Sequence, residues 1–234
     1  MRTLFVWILL FTSIIATAQT ATESKPKKGF LGVYFGPSFP VGNFGSSEWN
    51  NDNAGFAKMG YQMAVIDFGV KFVPNFGLAA SLKGSSIPMN VQYIADQYAQ
   101  EYGGQFVVKS TRWGLGGFYV GPFVTIPLKK LEIDFRLMTG LMIATSPELS
   151  VTWQTTGETQ TQNGEVGPSI SITVGTGLRY HISKSVSLVA TGEYLRARPT
   201  FVVDQYPGNN YQTTTVYQNI STISTTLGIA YRIF

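Results

Sequence analysis

From Gly29 onward, hydrophobic and polar residues alternate with a period of two through most of the chain. The last stretch puts Ile223, Thr225, Leu227, Ile229, Tyr231 and Ile233 on one face and Ser224, Thr226, Gly228, Ala230 and Arg232 on the other, then stops on Phe234. Residues 131–146 repeat the pattern, with Leu131, Ile133, Phe135, Leu137, Leu141 and Ile143 opposite Glu132, Asp134, Arg136 and Met138. Residues 168–182 set Ile170, Ile172, Val174, Leu178, Tyr180 and Ile182 against Ser169, Ser171, Thr173, Gly175, Gly177, Arg179 and His181. A strand with one apolar and one polar face lies between a wet and an apolar medium. Alternation alone does not say which medium is inside.

Breakers divide the chain into a regular series. Val73-Pro74-Asn75, Leu128-Lys129-Lys130 and Ser183-Lys184-Ser185 read as tight hairpin turns, and similar strand pairs recur around each of them. Long polar stretches at 40–58, 88–109, 147–167 and 200–217 lie between these hairpins. Three turns and four loops make seven connections, which predicts eight strands, at 29–39, 59–72, 76–87, 110–127, 131–146, 168–182, 186–199 and 218–234. The fourth is irregular: Trp113, Leu115 and Tyr119 share one parity, while Phe118, Val120, Val124 and Ile126 share the other. A β-bulge that switches parity is expected there. Within loop two, Ile94, Tyr98 and Tyr102 recur every four residues and predict a short helix over 91–102.

Strand length and loop asymmetry decide between the two media. The strands exceed the roughly 9–11 residues a tilted transmembrane strand needs, and tight turns alternate strictly with long loops. The prediction is an all-β fold: an eight-stranded antiparallel up-and-down transmembrane β-barrel with short periplasmic turns and long extracellular loops. A soluble lipocalin-like barrel that binds an apolar ligand is the alternative.

The N-terminus adds a compartment. Arg2, the apolar run Leu4–Ile15 and the small-residue site Ala16-Thr17-Ala18 form a secretory signal peptide over 1–18, with too few apolar residues to span a bilayer as a helix. Residues 19–28 are expected to be a flexible periplasmic tail and 29–234 the barrel. No later stretch is long and apolar enough for a membrane helix. The 25 glycines, 14% aromatic residues and 13% charged residues suit many twisted strands with aromatic girdles. Formal net charge is +4, too small to imply a nucleic-acid partner.

The lumen is expected to hold charges of both signs, namely Asp67, Lys71, Lys83, Glu132, Asp134, Arg136, Arg179, Glu193 and Arg232, with Arg112 as a further member. Eight strands enclose just enough room for side chains, so these predict an ion-paired plug and no open pore. Catalytic, cofactor-binding and metal residues are assigned to none. His181 is the single histidine, so any Ser-His-acid arrangement runs through it. It lies beside a short turn, at the periplasmic end and far from outer-leaflet substrates. Gly114-Leu-Gly116-Gly117 and Gly175-Thr-Gly177 lack the Lys-Ser/Thr of a phosphate loop and read as wall glycines. With no cysteine and one histidine, a dedicated transition-metal site is not expected. What remains for recognition is in the loops: Trp49, Asn50, Asn51, Asp52, Tyr93, Tyr98, Tyr102, Trp153, Tyr206, Asn209, Asn210, Tyr211 and Tyr217. Aromatic and amide groups of this kind stack on sugars or dock proteins.

Thr17-Ala-Gln19, Gly32-Val-Tyr-Phe-Gly36, Gly121-Pro-Phe123 and Tyr231-Arg-Ile-Phe234 together resemble the outer-membrane β-barrel family common in Bacteroidetes, sometimes called PorT-like, over about residues 29–234. Thr226, Gly228, Tyr231 and Ile233 also resemble the terminal motif read by the outer-membrane assembly machinery, although Phe234 sits one residue past the outward row. The resemblance implies localisation in the outer membrane of a Gram-negative bacterium and, as partners, outer-membrane lipid, the barrel assembly machinery through the C-terminal strand, and an extracellular protein or glycan. It implies a non-enzymatic structural, surface-binding or secretion-accessory role through the loops. An outer-membrane acyltransferase or deacylase is the enzymatic alternative.

Overall fold

The computed structural model describes residues 28–205 and 212–233. The signal peptide at 1–18, the tail at 19–27, loop residues Tyr206, Asn209, Asn210 and Tyr211, and Phe234 lie outside the described residues. The strands are β1 (Gly29–Pro40), β2 (Gly60–Val73), β3 (Phe76–Ile87), β4 (Phe106–Ser110), β5 (Trp113–Leu128), β6 (Leu131–Thr145) and β7 (Leu149–Trp153). They continue as β8 (Thr159–Gln162), β9 (Val166–His181), β10 (Val186–Ala197), β11 (Thr200–Gln205), β12 (Gln212–Tyr217) and β13 (Ile220–Ile233). Eight of them close an antiparallel barrel in the order β1-β2-β3-β5-β6-β9-β10-β13, each beside its predecessor in the barrel, and β13 returns to β1 from Gly29↔Ile233 to Pro40↔Thr222. The up-and-down fold and the strand count are those expected from the sequence.

The three tight turns follow their residues. Pro74-Asn75 and Lys129-Lys130 are two-residue connections closing Val73↔Phe76 and Leu128↔Leu131. Lys129 takes the left-handed conformation at φ 55°. At the third turn, Ser183 Oγ accepts from the Ser185 and Val186 N–H groups at 3.2 and 3.0 Å.

Side-chain facing inverts that of a soluble protein. Leu141, Ile170 and Leu227 are each at least 70% exposed on the outer wall, while Thr125, Asp134, Ser171, Ser187 and Ser224 are buried inside. From Ile170 to Tyr180 the outward row of β9 covers roughly 33 Å of strand, or roughly 25 Å along the axis at ordinary barrel tilt. Phe39, Tyr61 and Tyr194 stand near the loop end of this wall, and Phe72, Phe76, Tyr180 and Tyr231 near the turn end, all exposed.

The expected bulge in the fourth barrel strand is absent. β5 keeps one register against β3 and β6 throughout, with every odd residue from Trp113 to Thr125 on the inward row. Trp113, Leu115, Tyr119 and Phe123 are inward-facing and buried, because the lumen is not uniformly polar. The parity switch belongs to β2. There Val65 and Ile66 are both exposed, and the register shifts against β1 and β3. Gly60, Gln62 and Ala64 face inward before the bulge, and Asp67 and Gly69 after it.

Candidate functional site

The lumen is filled in layers from the turn end upward. Glu132 is held by Arg179 at 2.7 Å and by Lys71 at 3.1 Å. Arg179 Nη2 donates to Asp134 Oδ1 at 2.8 Å, and its Nε stands 2.7 Å from Oδ2, close enough for charge pairing though off the hydrogen-bonding direction. Thr125 Oγ1 donates to the same Oδ1 at 2.7 Å. Arg136 Nη1 donates to Asp67 at 2.7 Å. Phe30 lies under both guanidiniums, with the Cζ of Arg179 and Arg136 at 4.3 and 5.2 Å from its ring centre. Gly69 makes room for that ring, since a Cβ there would meet Phe30 at 2.3 Å. Above, Lys83 pairs with Glu193.

Four carboxylates thus face four cations, all eight named from the sequence. Arg232 lies half-buried on the inward row, opposite Phe30. Arg112 does not belong to this set: it is exposed, in the two-residue gap between β4 and β5, above the barrel rim. Ser81 Oγ and Glu193 Oε1 hydrogen-bond to no group among the described residues and line a cavity of about 20 Å³, room for about one water.

At the turn end His181 Nδ1 and Ser187 Oγ are 2.8 Å apart, and His181 Nε2 lies 3.5 Å from Glu132 Oε1. Ser187 is not singled out by the sequence, although it is directly opposite His181 across the short hairpin. The grouping has the residue types of a Ser-His-acid triad. Ser187 is fully buried, however, so its oxygen has no surface at which to meet a substrate.

The loop end is closed by an apolar plug. A one-turn 3-10 helix at Gly42–Gly45 inserts Phe44, fully buried, edge-on to Trp113 at 5.4 Å, and Trp113 packs on Phe201 at 6.1 Å. Trp113 Nε1 donates to Gly55 O at 3.1 Å, tying loop one to β5.

Above the plug the described loop residues form a platform of regular elements. Helix α1 (Val91–Tyr102), at the predicted residues, is capped by Asn90 and packs Ile94 and Ala95 against Val108 and Val151 of a three-stranded sheet, β4-β7-β8. This sheet and the β11-β12 ribbon lie in stretches that read as polar loops. Trp49, Phe56, Tyr98, Phe106 and Trp153 form a chain of ring contacts at 5.3–6.2 Å, so the candidate recognition residues Trp49, Tyr98 and Trp153 mainly hold the platform together. Trp49 Nε1 also donates to Glu101 at 2.9 Å. Tyr102 and Tyr217 remain exposed. The Glu101 carboxylate pushes the Tyr102 phenol above its ordinary pKa. A cleft of about 240 Å³ between loops one, three and four is lined by Asp52, Trp113, Glu165, Phe201, Tyr217 and Gln218, among others. It combines aromatic walls with two carboxylates. No group of three or more metal-ligating side chains occurs among the described residues.

No family model matches this chain, and no curated protein matches it in sequence. Among solved structures, it is similar to Neisserial surface protein A at a TM-score of 0.49 and 12% identity, over 88% of this chain and 97% of that one. A major outer membrane protein from Thermus thermophilus gives 0.49 and 14%, over 87% and 98%. The outer membrane protease OmpT from Escherichia coli gives 0.47 and 9%, over 92% and 99%. Each score is below 0.5, so the barrel rests on its own strand pairing and not on these likenesses.

Proposed function

We propose that this chain is an integral outer-membrane barrel of a Gram-negative bacterium, exported by its signal peptide, that works without catalysis through its extracellular loop platform. The observation that carries the reading is the pairing of a continuous apolar outer wall with an ion-paired interior. Monomeric soluble proteins rarely expose contiguous apolar patches beyond a few hundred Å². A lipocalin-like barrel would place these two faces the other way round. The aromatic residues near both edges of the wall fit interfacial girdles.

The filled lumen supports a role outside the barrel and not conduction. The loop platform, with its 240 Å³ cleft and exposed Tyr102 and Tyr217, supports binding of an extracellular protein or glycan. The buried Ser187 supports the non-enzymatic reading. The terminal strand supports delivery by the barrel assembly machinery, and the sequence resemblance supports placing the chain with the PorT-like barrels.

Heat-modifiable gel mobility of detergent-folded protein, with protease treatment of whole cells, tests the reading. A compact unboiled band and clipping within the four long loops are expected. Recovery from the soluble periplasm without detergent would sink it. A changed lipid profile on His181→Ala would restore the enzymatic alternative.

A further inference from the structure

The outer wall is not uniformly bulky. Gly84 pairs with Gly116 and Ser86 with Gly114, and all four lie on the outward rows of β3 and β5 at the loop end. Their neighbours are large: Tyr61 and Met63 on β2, and Leu141 and Ile143 on β6. The result is a groove of about 900 Å³, within the roughly 300–1,000 Å³ of ordinary ligand sites. Two exposed cations that form no ion pair among the described residues lie just beyond the loop ends of the strands that line it. Arg112 is two residues above Gly114 on the same parity of the chain and is exposed. Lys58, also exposed, bonds its N–H to Pro88 O at 2.8 Å, and Pro88 and Arg112 each come one residue beyond the last β3–β5 pair, Ile87↔Trp113. Glu148 exchanges hydrogen bonds with Thr111, beside Arg112, and forms no ion pair with Arg112.

We propose that this groove seats one acyl chain of an anionic, phosphate-bearing lipid in the leaflet at the loop end, with Arg112 and Lys58 holding the phosphate. The inference rests on the membrane reading above. A second copy of the chain is the poorer occupant, because a two-fold contact would set groove against groove and leave the volume unfilled. The paired cations select a lipid whose charge lies at the interface while its chain lies in the groove. A second outer groove, of about 660 Å³ beside Phe35, Gly192 and Leu227, lies lower on the wall and serves as the control.

Native mass spectrometry of the folded chain, released from micelles doped with equal phosphatidylglycerol and phosphatidylcholine of the same acyl chains, reads the site. The native chain should retain one phosphatidylglycerol with at least about fivefold preference, the effect of one interfacial cation on an anionic lipid. Gly116→Leu puts a side chain into the groove at a position where an added Cβ meets nothing within 4 Å, and should lose the retained lipid. Arg112→Gln should keep a lipid and lower the preference about fivefold. Gly192→Leu, in the control groove, should change neither. Unchanged lipid count in Gly116→Leu, no preference in the native chain, or a dimer abolished by Gly116→Leu would overturn the proposal. Failure to form the compact unboiled band would refute the membrane reading itself, whereas a compact barrel that retains no lipid refutes only the groove.

Discussion

Asp134→Ala is the sharpest perturbation of the interior. The Asp134 side chain is fully buried and receives Arg179 Nη2 at 2.8 Å and Thr125 Oγ1 at 2.7 Å, with Arg136 Nη2 at 3.6 Å. Removing it leaves three carboxylates against four cations in a lumen closed at its upper end by an apolar plug. Deleting one partner of a buried, hydrogen-bonded pair costs about 3–5 kcal/mol, because the other charge stays desolvated. That is roughly a hundred- to several-thousand-fold in the folding equilibrium. Lys71→Ala is the internal comparison. Its pair with Glu132 lies nearer the turn end, with 12% and 14% of the two side chains exposed, and Glu132 keeps Arg179, so a smaller cost than that of Asp134→Ala is expected. The double variant Asp134→Leu/Arg179→Met restores charge balance and should be less destabilised than Asp134→Ala alone. Equilibrium urea unfolding in detergent micelles, followed by tryptophan fluorescence and unboiled gel mobility, measures all three. A cost below about 1 kcal/mol for Asp134→Ala, or an equal cost for Lys71→Ala, would refute the plug as the interior's main electrostatic support.

Leu227→Arg tests the outer wall: at 70% exposure it would be harmless in water, but against hydrocarbon it should cost about 2–4 kcal/mol in vesicle refolding. Deleting Val65 removes the β2 bulge yet leaves Gln62 and Asp67 four positions apart and both inward, so the compact band should persist, whereas deleting Val174 from bulge-free β9 would turn either Thr173 or Arg179 out of the lumen and should abolish it. Phe44→Ala should lower stability by about 3 kcal/mol through the lost plug, yet vesicles carrying it should stay ion-tight because the charged layers below remain filled.

Much of the barrel is legible because turn chemistry and the period of two act locally. Pro74-Asn75, Lys129-Lys130 and Ser183 fix three hairpins, and five of the eight barrel strands start within one residue of expectation. The charges are legible for the same reason, since a carboxylate or guanidinium in an alternating strand has only one wet face available. The bulge is hard to place because Val65-Ile66 is an apolar pair that leaves no polar residue out of phase. Gln62 and Asp67, five apart yet both inward, are the available signal. Trp113, Leu115 and Tyr119 look like a parity error only under the assumption that every inward residue is polar. The platform strands escape a sequence reading because β4, β7 and β8 have five residues or fewer and gain their stability from α1 and from one another. No local period reports such packing.

The central claim, that the apolar face meets hydrocarbon, is most directly tested along β9. The chain has no native cysteine, so single labels at Ile172→Cys, Thr173→Cys, Val174→Cys and Thr176→Cys report without background. In lipid vesicles, spin labels at 172, 174 and 176 should be relaxed strongly by oxygen and weakly by an aqueous nickel chelate, while the label at 173 should be shielded from both. Strong relaxation of 172, 174 and 176 by the aqueous chelate would contradict the account.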